Sequence, residues 1–200
     1  MDNDYIKFSV VIPAHNEEKY ITKCLESVKK ASLCYPGQVE TVVVINRCTD
    51  KTEEIARSYG AKIVHEDARN LSKIRNAGAN ASCGDIILTI DADSWMTENM
   101  LKEIDKYLSK CRYIGGGTLV FFDRLSLGIA LTVLMVWVRL MLRDMISVGL
   151  FWCRRQDFFA IGGFDESMVS LEDLDFAKRL KSHGKDQGKK FKVIKRAWIK

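Results

Sequence analysis

Hydrophobic residues enter this chain in two alternating rhythms. Short apolar runs, Phe8 to Ile12 (FSVVI), Thr41 to Ile45 (TVVVI), Ala61 to His65 and Ile86 to Ile90 (IILTI), are separated by stretches with helical spacing. Runs that are apolar and β-branched without interruption suit strands buried on both faces of a parallel sheet. After the first run, Ile21, Cys24, Leu25 and Val28 fall at i, i+3, i+4 and i+7, which predicts a helix over 18–30. Asp50, with Glu53 three residues later, marks the start of a second helix in KTEEIARSYG, closed by Gly60. A third, over 72–81, places Ile74, Ala77, Gly78 and Ala81 on one face.

The resulting order, β-α-β-α-β-α-β, predicts an α/β fold with a mostly parallel central sheet flanked by helices on both faces, because parallel neighbours need crossover connections. Ligands in such sheets bind beyond the carboxyl ends of the strands. Three polar clusters should therefore converge: Pro13 to Glu18, Asn46 to Asp50, and Asp91 to Asp93. Pro13 is expected to stop the first strand. Further along, the pattern predicts a helix near 97–110, a strand starting at Gly115 to Gly117, an apolar helix near 125–148 and a basic terminal strand, FKVIKRAWIK. Ser170, with Asp173 three residues on, predicts a late helix whose Leu171, Leu174, Ala177 and Leu180 face inward. The chain is read as one domain over 1–200, with a regular α/β half at 7–95 and a less regular half at 96–200 that carries the apolar stretch.

Composition bounds the remaining possibilities. With 47% hydrophobic residues and two prolines among 200, the chain can bury a substantial core and is not of disordered type. A net charge of +5 suits phosphate ligands or an anionic membrane surface and calls for no nucleic acid. Cys24, Cys34, Cys48, Cys83, Cys111 and Cys153 show no paired spacing, so neither a zinc site nor a disulfide framework is expected. They read as reduced, cytoplasmic residues, and Met1 to Lys7 lacks the pattern of a secretion signal. LSLGIALTVLMVWV falls short of the ~20 apolar residues of a spanning helix, and Arg139 and Arg143 interrupt its continuation. It reads as a helix packed inside the protein or a homodimer, or else as one lying at the inner membrane face.

The sharpest chemical signal is Asp91-Ala92-Asp93 at the end of an apolar strand. Two carboxylates so close need a reason, and a divalent cation supplies one. Mg²⁺ and Mn²⁺ prefer hard oxygen ligands and take one or two protein carboxylates, completing their shell with water and phosphate. The bland reading is a polar strand end with an Asx turn.

Five segments, VVIPAHNEE, VVVINRCTDKT, LSKIRNAGANASCGDIILTIDADS, IGGFDE and SLEDLDFAKRL, occur in this order. Together they resemble the family-2 glycosyltransferases with their GT-A nucleotide-sugar fold, over about 7–180. The resemblance implies sugar transfer from a UDP- or GDP-linked donor to a glycan, lipid-linked or other hydroxyl acceptor. It places Pro13, Ala14, Asn16 and Glu17 along the nucleotide, and Asn46 near the base with Asp50 just beyond. An acidic residue is usual at the Asn46 position; an amide both donates and accepts, which leaves uridine and guanosine open. Lys73, Arg75 and Asn76 match a basic segment where a cation neutralises the diphosphate. Asp91 and Asp93 match the metal pair, Asp93 being the direct ligand. Glu172 and Asp173 match a late acidic pair, whose second member is the general base of inverting members.

Blander roles accompany these. Asp173 at the third helix position also suits capping, Asp175 a solvated helix face, and Lys73 an ordinary surface lysine. Phe151 and Trp152 offer either a sugar-stacking face or core. No glycine-rich loop follows the first strand, since PAHNEE has none, which disfavours a dinucleotide dehydrogenase or a nucleotidyltransferase. The competing class is a protein of the same fold without turnover, either a nucleotide-sugar binder or a membrane-associated partner protein.

Overall fold

A computed structural model describes residues 5–121 and 149–200; the helix expected near 125–148 lies outside them. The four apolar runs form β1 (Phe8–Ala14), β2 (Val39–Ile45), β3 (Lys62–His65) and β4 (Ile86–Thr89). Three helices connect them: α1 (Ile21–Ser32), α2 (Thr52–Ser58) and α3 (Leu71–Ala81). Then follow α4 (Met100–Leu108), β5 (Tyr113–Val120), β6 (Phe151–Arg154), α5 (Arg155–Ala160), α6 (Glu172–Asp186) and β7 (Lys190–Ile199).

All seven strands join one sheet in the order β3-β2-β1-β4-β6-β5-β7. Pairing is parallel except at β6, which runs antiparallel to both β4 and β5. Alternate residues of the buried strands feed two cores. Phe8, Val10 and Ile12 pack under α1, α2 and α4, while Val11, Val42 and Val44 pack under α3, α5 and α6. Phe151 and Trp152 divide between these two cores and are both buried, so neither offers a sugar a stacking face. Among the described residues no helix is long and apolar enough to cross a membrane.

Two expectations fail for identifiable reasons. β1 runs through Pro13 to Ala14, pairing Pro13 with Val44 and Ala14 with Ile45. Val11 O accepts from Ile90 N and Ala14 O from Asn46 N, so odd positions of β1 address β4 and even positions address β2. Proline's missing donor therefore points toward β4, whose pairing with β1 has already ended at Thr89.

The late helix begins at Glu172 rather than at a Ser170 cap. Leu171 adopts the left-handed conformation at φ 64° and no side chain caps the helix. Leu171 is consequently 64% exposed, and the inner face is formed by Phe176, Ala177, Leu180 and Gly184. The first helix starts at Ile21, the first residue of its apolar pattern, rather than at 18, and buries Ile21, Cys24, Leu25 and Val28 as that pattern predicts.

Gly78 decides how close α3 lies to the sheet. A Cβ there would stand 2.4 Å from Val11 Cγ1 and 2.7 Å from Val44 Cγ2, separations no side chain tolerates. The close approach seats α3 directly on β1 and β2. Gly78→Ala is expected to destabilise the fold by about 1–3 kcal/mol through overpacking, read as a lowered urea midpoint with unchanged slope. An unchanged midpoint would mean that α3 is free to lift away.

Candidate active site

The strand order reverses between β1 and β4, since β2 and β3 extend to one side of β1 and β4 begins the other. At such a switch point the connections leave in opposite directions and open a crevice. Here β1 outruns its pairing with β4, and a cleft of about 260 Å³ lies at the parted ends. Pro13 and Ala14 line it from the end of β1, His15 and Glu17 from the loop after it, Asn46 from just past β2, Leu71 and Ile74 from α3, and Asp91, Ala92 and Asp93 from the loop after β4.

Of the residues singled out in the sequence, Pro13, Ala14, Glu17, Asn46, Asp91 and Asp93 thus share one cleft. Asn16 and Asp50 stand outside it and clamp its loops together. Asn16, at φ 56°, accepts from Thr49 N at 2.8 Å, while Asp50 accepts from Thr52 N and Glu18 N, each at 3.0 Å. Burial works against the Asp50 carboxylate, but the Thr52 hydroxyl, which also donates to it, and these backbone N–H groups outweigh burial and hold its pKa below the usual range. Lys73 is exposed on α3 and forms none of the wall.

Asn46 is 2% exposed and braces the chain after β3. Its amide donates to Glu66 O and Ala68 O, and its oxygen accepts from the Arg47 guanidinium. Its amide hydrogens are therefore engaged before any base could meet them. His15, Leu71 and Ile74 are cleft residues that the sequence reading did not select. His15 Nδ1–H donates to Asn46 O at 2.6 Å, and Leu71 is an exposed apolar residue opening α3, the one signal that marked it.

The cleft is electronegative. Burial raises the Glu17 pKa, and the charges of Asp93, Asp50 and Asp91 raise it further. Among the described residues no three His, Cys, Asp or Glu side chains form a metal cage. Two carboxylates on an electronegative wall nonetheless fit a Mg²⁺- or Mn²⁺-type ion, which needs only one or two from the protein.

Beneath the cleft lies Arg75, whose side chain is 2% exposed. Its Nη2 donates to Asp91 Oδ1 at 2.9 Å, and its Nη1 to Asp173 Oδ1 at 2.6 Å and Glu172 Oε1 at 3.1 Å. The neighbouring Asn76 grips the backbone of Phe164 from both sides, donating to its carbonyl at 2.8 Å and accepting from its N–H at 2.9 Å. The segments IRNAGA, DAD, GGFDE and LEDLD thereby meet around two consecutive residues of α3. Asp175 bonds Arg179 at 2.6 Å instead of facing solvent alone.

A model described as Glycosyl transferase family 2 matches residues 9–149. The chain belongs to glycosyl transferase family 2. Over 112 residues it is 30% identical to poly(ribitol-phosphate) beta-N-acetylglucosaminyltransferase TarS of Staphylococcus aureus, covering 52% of this chain and 19% of TarS. It is 34% identical over 115 residues to 4,4'-diaponeurosporenoate glycosyltransferase of Staphylococcus haemolyticus, covering 54% and 30%. The match thus spans less than a third of either relative's length.

Two solved structures superpose on nearly the whole chain. TarS 1-349 in complex with UDP-GlcNAc gives a TM-score of 0.74 at 21% identity, covering 96% of this chain and 58% of that one. The mannosyltransferase PcManGT from Pyrobaculum calidifontis, in complex with GDP-Man and Mn²⁺, gives 0.75 at 18% identity, covering 96% and 55%. These likenesses carry the GT-A fold.

Within this family 2 site Asp173 is electrostatically unusual. Burial raises its pKa most; Arg75 opposes this, whereas Glu172 and Asp91 add to it. One guanidinium divided among three carboxylates does not offset the cost of desolvating Asp173, and the upward shift stands. Arg75 shows the complement: burial disfavours its cation, yet the three carboxylates outweigh burial and raise its pKa.

A carboxyl raised in the folded state gives stability that is complete below its unfolded pKa, about 3.9, and is lost as pH rises through the folded value. Asp173→Asn, which mimics the protonated acid, is therefore expected to gain stability relative to wild type as pH rises through that window, then level off. Urea unfolding of both chains across acidic to neutral pH measures it; a difference that falls with pH would reverse the assigned sign.

Proposed function

We propose that this chain is a glycosyltransferase domain that takes a UDP- or GDP-linked sugar in the cleft between β1 and β4 and passes it to a hydroxyl acceptor. The observation that carries this reading is the cleft itself, where Asp91 and Asp93 share a wall with the loops after β1 and β2. The family match supports the activity. The UDP-GlcNAc and GDP-Man complexes of the structural neighbours support the class of donor.

In this reading residues 7–95 hold the donor and residues 96–200 supply the acceptor side. The β1 loop lies along the nucleotide, with Leu71 and Ile74 as an apolar surface beside it. Asp93 and the free edge of Asp91 would hold Mg²⁺ or Mn²⁺, as the Mn²⁺ complex of PcManGT suggests. Such an ion supplies Lewis-acid stabilisation of the charge on the departing nucleoside diphosphate. Asp173 takes the proton of the acceptor hydroxyl as that oxygen bonds to the anomeric carbon. The bond from that carbon to the diphosphate oxygen breaks in the same displacement, which inverts the configuration. A raised pKa suits a base that must accept a proton, and it places the acid limb of transfer above the ordinary carboxylate range.

Two outcomes are expected. UDP or GDP should raise the thermal unfolding midpoint in the presence of Mn²⁺ and lose most of that effect in Asp93→Asn; a shift indifferent to metal and to Asp93 would remove the ion from this site. Asp173→Asn should keep the nucleotide-induced shift while transfer falls by roughly two orders of magnitude or more, the typical worth of a positioned base. Transfer at the wild-type rate would strip Asp173 of the base role, and a wild-type chain that binds donor without turnover would favour the binding-protein alternative.

A further inference from the structure

Arg75 matches a family segment in which a cation beside the diphosphate is expected, yet its surroundings describe a different task. Its side chain is 2% exposed and forms no part of the cleft wall. Both terminal nitrogens are taken by this chain's own carboxylates, Nη2 by Asp91 and Nη1 by Asp173 and Glu172. Its carbon lies 5.1 Å from the centre of the Phe164 ring, which stacks on Phe176 at 4.3 Å and 16°. Nε has no partner among the described residues, so the plane is aimed to satisfy the two ends at the expense of its middle.

Asp91 closes β4 and Asp173 opens α6, elements far apart in sequence. α6 starts without a side-chain cap, behind a left-handed Leu171, and two first-turn acids, Glu172 and Asp173, turn to Arg75. Gly149 N–H adds a bond to the Asp173 carboxylate. A planar fork on an aromatic shelf can fix two carboxylates at a set separation, whereas a lysine ammonium is a single flexible point.

We propose that Arg75 is a positioning residue, whose guanidinium holds the Asp173 carboxylate at a fixed offset from Asp91 without binding the donor. The role in transfer rests on reading Asp173 as the base. A misplacement of about 1 Å at a reacting group can cost on the order of a hundredfold in rate, so a rigid link between the donor strand and the base helix has direct kinetic consequence.

Three readouts on the full chain, taken in wild type and Arg75→Lys, test this. They are affinity for UDP and GDP with Mn²⁺, nucleoside diphosphate release from the matching sugar nucleotide, and the carboxyl carbon titration of Asp173 by NMR. The expected result is nucleotide affinity within about twofold of wild type, maximal release reduced at least about tenfold, and an Asp173 titration moved upward. Affinity weakened about tenfold with maximal release intact would make Arg75 a diphosphate ligand and overturn the proposal. Unchanged release, or an Asp173 titration that stays in place, would overturn it too.

If the lysine variant does not fold, the wild type decides through its Arg75 guanidinium nitrogen signals. Those signals should be protected from solvent exchange and keep that protection when UDP or GDP is added with Mg²⁺; ready exchange in the free protein, or loss of protection on adding either nucleotide, overturns the positioning role. A wild type that binds neither nucleotide sinks the donor reading alone, and the Asp173 titration still decides whether Arg75 governs that carboxylate.

Discussion

Removing a guanidinium from water costs several kcal/mol unless anions surround it, and three carboxylates surround Arg75. They come from the end of β4 and the start of α6, while Arg75 itself sits on α3, pressed onto β1 and β2 by the missing side chain of Gly78. Any shift of one of these elements would leave a buried charge unpaired. The positions of Asp91 and Asp173 are thus coupled to the packing of the sheet, and the site inherits the rigidity of the core. Of the three carboxylates, Asp91 also lines the cleft at the parted ends of β1 and β4.

That parting has its own cause in the sheet. Order reverses at β1, and the proline near its end has no N–H to offer in the direction of β4. A proline in a central strand ordinarily costs a ladder bond. Here it stands where the ladder has already stopped, and it lines the cleft instead. The chemistry of a ligand site and the limits of strand pairing are met by the same residue.

Much of this was legible in the sequence. Unbroken apolar runs and 3.6-residue periods gave the order of elements, because burial on both faces of a parallel sheet leaves little room for other patterns. Local rules failed where tertiary contacts override them. Pro13 was read as a terminator since hydrogen-bond direction depends on neighbours not visible in a string. Ser170 was read as a cap, yet Asp173, the acid that should complete the capping box, is engaged by Arg75, and Leu171 takes the left-handed conformation. Asp91 and Asp93 were singled out by their spacing at a strand end together with the family resemblance, and both line the cleft. The bracing roles of Asn16, Asn46 and Asp50 were not, because polar loop residues that touch a ligand and those that hold its loop share one composition. His15, Leu71 and Ile74 became site residues only through the geometry of the switch point.

Family 2 membership accounts for the fold and for the motifs, while the relatives' greater length leaves donor and acceptor to be measured on this chain. In the proposed function the β1–β4 cleft holds a nucleoside diphosphate through a divalent ion at Asp91 and Asp93. Anomalous diffraction at the manganese edge, from crystals grown with Mn²⁺ and whichever of UDP or GDP stabilises the fold, addresses it directly. One strong manganese peak is expected against the Asp93 carboxylate, with the diphosphate on its other side. A nucleotide seated in the cleft with no manganese beside Asp91 or Asp93, or a peak elsewhere on the protein, would contradict it.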